Sequence, residues 1–543
     1  MVRPIPRPRA SEPAARVPPV AHVAAWPSLV VGAAALACYL AWCPRVTGDK
    51  DSPEFTLVLA SLGVAHPTGY PLYTLLGHLF VSVLHAWGAS WAYAANAWSA
   101  LGGALAVGLL HALATRLLAG AGVRPRFSAL LVLPAVAVFA VDPVWTYEAT
   151  LAEVNSWHLA WAAGAALCAA ALLQAPAPRG RALLWRAALW GLLVGVGLAH
   201  HRTSVWISGP FTLALLAHAR PRNAAPWLAA CAGALAPLLS YGYIFWRASH
   251  PAAVQWPSLV PGAIGLHLSG AGYAHYLGHF APSDVQRRLL VEGVFPWLAP
   301  ALLAACVWPF LRGGARVLRL ALAAAVLVQT AYAFFYGVPD PSSYFLVPLA
   351  LGLSLVPATL AALPRARRFG APLAIAAALV VAVAGRTWPR VAAERVSVFA
   401  KFDALTRSMW TGIPRERGFV IWEDDMSYRL VAYQLLDGLK PGLVVVNPVT
   451  FKNPLARRTF AARHGFDPAG DLPPAAAYTE GEGPELDPLR EAVVDRLART
   501  GEPVLVFLPQ VPSVRLLREG GSVAGARDAA GDLPRPEPRP GEN

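Results

Sequence analysis

Apolar residues along this chain gather into runs near 20 residues long, separated by short polar gaps, and that is the length a helix needs to cross a hydrocarbon core. Runs at 23–43, 93–115, 127–144, 154–174, 183–199, 204–218, 225–246, 291–311, 317–335, 343–363 and 369–386 predict about 11 transmembrane helices. A shorter run at 71–86 carries His78 and His85. If it crossed, the gap holding Arg116, Arg124 and Arg126 would fall on the outer side, against the tendency of positive charge to stay in the cytoplasm. The run is therefore predicted to lie along the outer face as a juxtamembrane helix. The arginine-rich gaps near 177–186, 218–222, 312–316 and 364–368 then fall inside, and most acid and histidine motifs fall outside.

Beyond residue 386 the pattern changes. FVIWED, LVVVNP and EPVLVFLPQ are short apolar runs of strand length, with helix-like pieces such as EAVVDRLART between them. They predict a small extracytoplasmic α/β domain over 387–518. Residues 1–22, rich in Arg and Pro, read as a disordered basic cytoplasmic arm that is not a cleaved signal peptide; the Gly-, Pro- and charge-rich residues 519–543 read as a disordered tail. The expected fold class is a polytopic all-α membrane domain, 23–386, followed by that small domain.

Composition narrows the function. The chain of 543 residues is 56% hydrophobic and 14% charged. Its net charge of +14 lies mostly in the gaps between apolar runs, as membrane topology demands, so a nucleic-acid partner is excluded and the lipid bilayer is the expected one. Five cysteines, scattered in or beside the apolar runs, outline neither a disulfide frame nor a metal site. No Gly-rich phosphate loop, CxxC or HExxH occurs.

In so apolar a chain, carboxylates beside a membrane face need a reason, because burying one unpaired is costly. GDKDSPEF, just after the first run, holds Asp49, Asp51 and Glu54, with His66 close behind. Asp49 and Lys50 read as a solvated loop. Asp51 and Glu54 are three apart, and Pro53 suits a helix start, so both fall at a first turn, where amide donors favour negative charge. HHRT at 200–203 offers Arg202 as a fixed fork and His200 and His201 as further donors, a set suited to an anionic phosphate. The long segment 247–290, with Trp256, Tyr273, Tyr276 and glycines at 262, 265, 270, 272 and 278, reads as broken pieces, either an aromatic lid or ordinary interfacial anchoring. In YGVPDPSSYF, Asp340 and Tyr344 lie in an outer turn or contact substrate.

DSPEF, LGVAHPTGYPLYTLLGHLF and Asn96 in AANAWSAL together resemble the first-loop signature of membrane glycosyltransferases related to the eukaryotic transmembrane protein O-mannosyltransferase, within the GT-C superfamily. Pro53 stands where that family usually has Gly, and Thr68 where it usually has a second Pro. The resemblance implies a GT-C-like catalytic domain in a bacterial inner (cytoplasmic) membrane, with its active site on the extracytoplasmic side. It would transfer a sugar, mannose among the candidates, from a polyprenyl-phosphate or polyprenyl-diphosphate donor to a hydroxyl of a protein or glycan, by an inverting displacement. Asp51 would be the base with Glu54 in reserve, and His66, Tyr70, Glu153, Asp340 and Tyr344 would line the substrate pocket. No cofactor is expected, and a divalent metal is left open. A transporter or flippase of lipid-linked or anionic solutes is the alternative from another class; it would more naturally place ionisable groups at mid-membrane.

Overall fold

The computed structural model describes residues 25–251, 254, 259, 261–311, 316–338, 340–363, 390, 392–423, 425–470, 486–510, 512–519 and 522–523. Among these, seven helices are long and apolar enough to cross a membrane, and shorter apolar helices join them. The result is an all-α polytopic bundle followed by a small mixed α/β domain. The arm at 1–22, the span predicted at 369–386, Trp256 and most of the tail lie outside the described residues.

The predicted runs become helices with small shifts at their ends. The bundle is built from α1 (Trp26–Trp42), α4 (Trp91–Gly120), α8 (Asn155–Gln174), α9 (Gly180–His200), α10 (Ser204–Ala219), α11 (Ala225–Leu238), α15 (Phe295–Val307), α16 (Arg316–Phe335) and α17 (Leu346–Ala362). The run at 127–144 is interrupted instead of continuous: α5 (Pro125–Leu131) ends at Val132 and α6 (Leu133–Ala140) restarts with Pro134, which has no amide to give the preceding turn. Helix α4 packs against α1, α8 and α17, and a single large core cluster runs through these helices. Helices α9 and α11 meet through small residues, the packing that brings backbones together where lipid supplies no hydrophobic drive. A Cβ on Gly191 would lie 1.9 Å from the Ala230 carbonyl oxygen, so no larger residue fits that crossing.

Between α1 and α4 lie two further helices. Helix α2 (Ser52–Ser61) begins with Pro53 at its first turn and is buried from Ser52 to Leu59. Helix α3 (Pro71–Ala86) occupies the run assigned to the juxtamembrane position. It turns Tyr73, Thr74, Gly77 and Val81 inward, while Leu76, Leu79 and Val83 stay exposed, so its outer face is apolar as well.

The C-terminal domain starts with a helix over 392–411 and forms a five-stranded sheet. Its strands are β1 (Gly418–Ile421), β2 (Leu443–Val446), β3 (Val504–Leu508), β4 (Ser513–Glu519) and β5 (Ser522–Val523), in the order β2-β1-β3-β4-β5. The first three are parallel and the last two antiparallel. Phe419 and Ile421 face one core, and Val420 and Trp422 face another, so the central strand is buried on both faces and its sequence reads as one apolar run. Strand pairing continues past the expected domain end at 518, because SVRLLRE pairs with β3 and its last two residues pair with β5.

Candidate active site

At one end of the bundle, under the C-terminal domain, a cavity of about 460 Å³ opens between the first loop, the 142–155 segment, the 273–276 turn and the start of α17. Six carboxylates line it: Asp49, Asp51, Glu54, Glu148, Glu153 and Asp340. The first loop is shaped by backbone and side-chain contacts together. Asn96, fully buried on α4, donates to the Pro44 carbonyl at 3.0 Å and the Val46 carbonyl at 3.2 Å, and accepts from the Ala152 amide at 2.9 Å. One side chain thus fixes the first loop to the acidic 148–153 segment.

Asp51 caps α2 by position and leaves its carboxylate on the cavity wall. Glu54, one turn on and nearly buried, accepts from the His66 amide at 2.7 Å, and its other oxygen lies 3.0 Å from His66 Nδ1. His66 Nε2 in turn lies 3.2 Å from the Tyr70 hydroxyl. The turn between them depends on Gly69, at φ +83°, where a Cβ would meet Ile244 Cδ1 at 3.0 Å and His267 Nε2 at 3.1 Å. Glycine there meets both the backbone and the space requirement.

Charge in the cavity is unevenly compensated. Lys50, expected in a solvated loop, is half-buried, pairs with Asp340 across 290 residues of chain and lies 4.5 Å from the centre of the Tyr147 ring. The neighbouring carboxylates outweigh burial and push its ammonium well above the usual lysine range. The Asp49 carboxylate accepts a hydrogen bond from the Tyr147 hydroxyl. Burial is the main cause that pushes Glu148 up to about 7, with Lys50 opposing and Asp340 and Asp51 adding to the rise, while Asn155 donates to it at 2.9 Å. Glu153 is raised further, by burial and then by Glu148 and Asp51.

The predicted site residues do not all converge. Asp51, Glu54, His66, Tyr70, Glu153, Asp340, Tyr344 and His201 line the cavity. His200 and Arg202 do not. His200 is buried with Nε2 3.1 Å from the Val154 carbonyl, and Arg202 is exposed and donates to the Ser269 carbonyl. The backbone accounts for this split, since α9 ends at His200 and His201 turns extended, at φ −151° and ψ 133°. Burial, with His200 and His66 nearby, pushes His201 down to about 3, so it contributes as a neutral ring. Asp340 is held by Lys50 and accepts from the Ser342 hydroxyl at 2.7 Å. Tyr344 joins an aromatic wall, 5.1 Å from Tyr336 between ring centres, with Tyr273 and Tyr276 adjoining. The 264–276 stretch forms only α13 (Ile264–Ser269) and a short 3-10 turn, in keeping with its glycines.

Sequence reading missed Lys50, Tyr336, and Met426 and Tyr428 of the C-terminal domain, all of which line the cavity. Of these, Tyr336 alone carried a local signal, its place at the start of the YGVPDPSSYF turn.

Ligand atoms of Asp51, Glu54 and His66 lie within 4.8 Å of one another, so this cluster could hold a metal ion. The donor set, two carboxylates and an imidazole, fits a divalent cation, provided Glu54 and His66 loosen the contacts they make with each other.

Residues 51–224 match the family model described as the protein O-mannosyl-transferase TMEM260 N-terminal domain. Over 83 residues the chain is 42% identical to protein O-mannosyl-transferase TMEM260 of Mus musculus, a stretch that covers 15% of this chain and 12% of that relative. Among solved structures, ArnT from Cupriavidus metallidurans bound to undecaprenyl phosphate is similar over 93% of this chain and 99% of its own, at TM-score 0.52 and 14% identity. The Archaeoglobus fulgidus oligosaccharyltransferase in complex with zinc and sulfate covers 88% of this chain and 67% of its own, at TM-score 0.44 and 12% identity. The sequence matches relate residues 51–224 to the TMEM260 N-terminal domain, and the ArnT likeness is one of fold.

Proposed function

We propose that this protein is a membrane glycosyltransferase that moves a sugar from a polyprenyl-phosphate-linked donor to a hydroxyl acceptor on the extracytoplasmic face. The observation that carries the reading is Asp51, a carboxylate on the wall of an acidic cavity at one end of the bundle, within the residues that match the TMEM260 family model. The name of the mouse relative supports mannose and a protein hydroxyl as donor sugar and acceptor. The undecaprenyl phosphate in the ArnT complex supports a polyprenyl-phosphate carrier.

In this reading the acceptor oxygen attacks the anomeric carbon as Asp51 takes its proton, and the bond from that carbon to the phosphate oxygen breaks, the phosphate leaving with the electron pair. Glu54 holds His66 in one orientation through two contacts, so its part is positioning. The Tyr273, Tyr276, Tyr336 and Tyr344 wall offers ring faces and hydroxyls to a sugar. Arg202, exposed outside the cavity wall and within electrostatic reach of Tyr332, steadies the donor phosphate from the surface side. His200 serves by holding Val154 in place beside Glu153. A metal ion bound at Asp51, Glu54 and His66 would supply a positive charge for the leaving phosphate.

The test is product formation by purified protein in liposomes supplied with a panel of polyprenyl-phosphate sugars and hydroxyl acceptors. A glycosylated acceptor is the expected result. Movement of the lipid across the bilayer with no transfer product would overturn the reading in favour of a transporter.

A further inference from the structure

We infer that Arg429, carried by the C-terminal domain, is the positioning residue of the catalytic loop. The word catalytic rests on the glycosyltransferase reading above; the clamp itself does not. The Arg429 side chain is fully buried where the domain meets the membrane bundle. Its Nη2 donates to the Thr47 carbonyl at 3.0 Å and the Gly48 carbonyl at 2.6 Å, and its Nη1 donates to Asp403 Oδ1 at 2.9 Å. Asp403 is itself fixed within the domain, accepting from the Tyr433 hydroxyl at 2.9 Å with Arg407 Nε 3.6 Å away. The guanidinium is therefore held rigidly from one side and grips the loop from the other.

The gripped residues directly precede Asp49, Lys50 and Asp51. Within the turn that follows, the Gly48 amide donates to Ser52 Oγ at 3.1 Å, and the Ser52 amide to the Asp49 carbonyl at 3.2 Å. Lys50 sits in the left-handed region at φ 51°, a conformation that a non-glycine residue keeps only where its surroundings hold it. Asn96 takes the carbonyls of Pro44 and Val46, and Arg429 takes those of Thr47 and Gly48. Between them, two side chains far apart in sequence set the path of the loop up to its three charged residues. Arg395, on the 392–411 helix, adds a second guanidinium from the same domain beside Cys43, Asp49 and Tyr147. The helix Tyr428–Asp437 packs on α2, and Met426 and Tyr428 reach the cavity. The C-terminal domain is thus a structural part of the active site, and the planar fork matters: lysine has the charge but cannot serve Asp403 and two carbonyls in fixed directions.

The experiment compares full-length Arg429→Lys and Asp403→Asn with wild type by hydrogen exchange and by kinetics. In Arg429→Lys, amides over residues 48–55 should exchange faster while β1 and β3 keep their protection. Turnover per folded molecule should fall by about ten- to a hundredfold, since a displacement near 1 Å suffices for that, with donor KM within about twofold. Asp403→Asn leaves the carbonyl contacts in place and should lose less of both. Unchanged exchange over 48–55 in a folded Arg429→Lys protein overturns the proposal. So do equal losses in both variants accompanied by deprotection of the sheet, which would make the pair a support of the domain alone. Exchange needs no turnover, so an inactive wild-type protein would count against the glycosyltransferase reading while the clamp was still decided.

Discussion

Replacing Asp51 with Asn tests the proposed chemistry most directly, because the change removes a proton acceptor at nearly constant size. Asp51 makes no side-chain capping bond to α2 and is not fully buried, so the helix start should persist and stability should shift by less than about 1 kcal/mol. Loss of a general base costs about 10²- to 10⁴-fold in rate, or roughly 2.7 to 5.5 kcal/mol of barrier. Glu54 provides the internal comparison. Its oxygens contact the His66 amide at 2.7 Å and Nδ1 at 3.0 Å, and Gln keeps the first contact while losing the charge behind both. A charge-assisted bond is roughly twice as strong as a neutral one, so Glu54→Gln should cost about 1 kcal/mol and lower turnover by no more than about tenfold. The assay is single-turnover transfer of labelled sugar from saturating donor in liposomes, with donor binding measured separately for each variant. A larger loss in Glu54→Gln than in Asp51→Asn would transfer the role of base to Glu54. Near wild-type turnover in both, and in the double variant, would refute carboxylate catalysis.

Other perturbations separate binding, charge and geometry. Arg202→Ala should raise donor KM about tenfold or more with a smaller change in kcat, read from steady-state kinetics over donor concentration. Glu148 keeps a proton in the folded state that it would release above its ordinary value of 4.5 on unfolding, so its contribution to stability falls as pH rises from there to about 7; Glu148→Gln should flatten that slope in melting curves in detergent. Gly69→Ala forces a Cβ into a space 3.0 Å from Ile244 in a left-handed conformation, and should destabilise by about 1 to 3 kcal/mol in thermal unfolding. A lone reporter cysteine at exposed Arg458 should be labelled by an impermeant reagent in intact cells; protection until lysis would reverse the orientation.

The helices were legible because crossing a bilayer imposes a length and an apolarity that few other structures need, and α1, α4, α8, α9, α10, α16 and α17 lie where runs of the sequence put them. The existence of α3 was legible in its apolar run, while its juxtamembrane placement is an expectation drawn from the charges of Arg116, Arg124 and Arg126. The first loop was legible from its local density of acids. What distant residues decide was not. Lys50 looked solvated because its partner, Asp340, is 290 residues away, and no spacing rule links them. His200, His201 and Arg202 looked like one cluster, yet the extended backbone at His201 sends its neighbours into the core and out to the surface. Arg429 gave no signal at all, because the groups it recognises are backbone carbonyls, which every residue has.

The acids of the cavity divide by environment, and in the proposed mechanism that division matches different work. Burial raises both Glu148 and Glu153, and the neighbouring carboxylates, Asp340 among them, add to the rise, with Glu153 raised the further. A carboxyl that keeps its proton is a hydrogen-bond donor and a poor base, suited to holding sugar hydroxyls. Asp51 lies across the same cavity, open enough to meet solvent, at the first turn of α2, where the helix amides favour negative charge. In the proposed transfer the acceptor hydroxyl itself supplies the proton that Asp51 takes, which leaves the raised acids free to hold hydroxyls. Lys50 lowers Glu148 even as it pairs with Asp340, and Arg429 fixes the loop from which Lys50 and Asp51 project. The geometry of the loop thus sets the charge that Glu148 meets, with Lys50 opposing the rise that burial imposes.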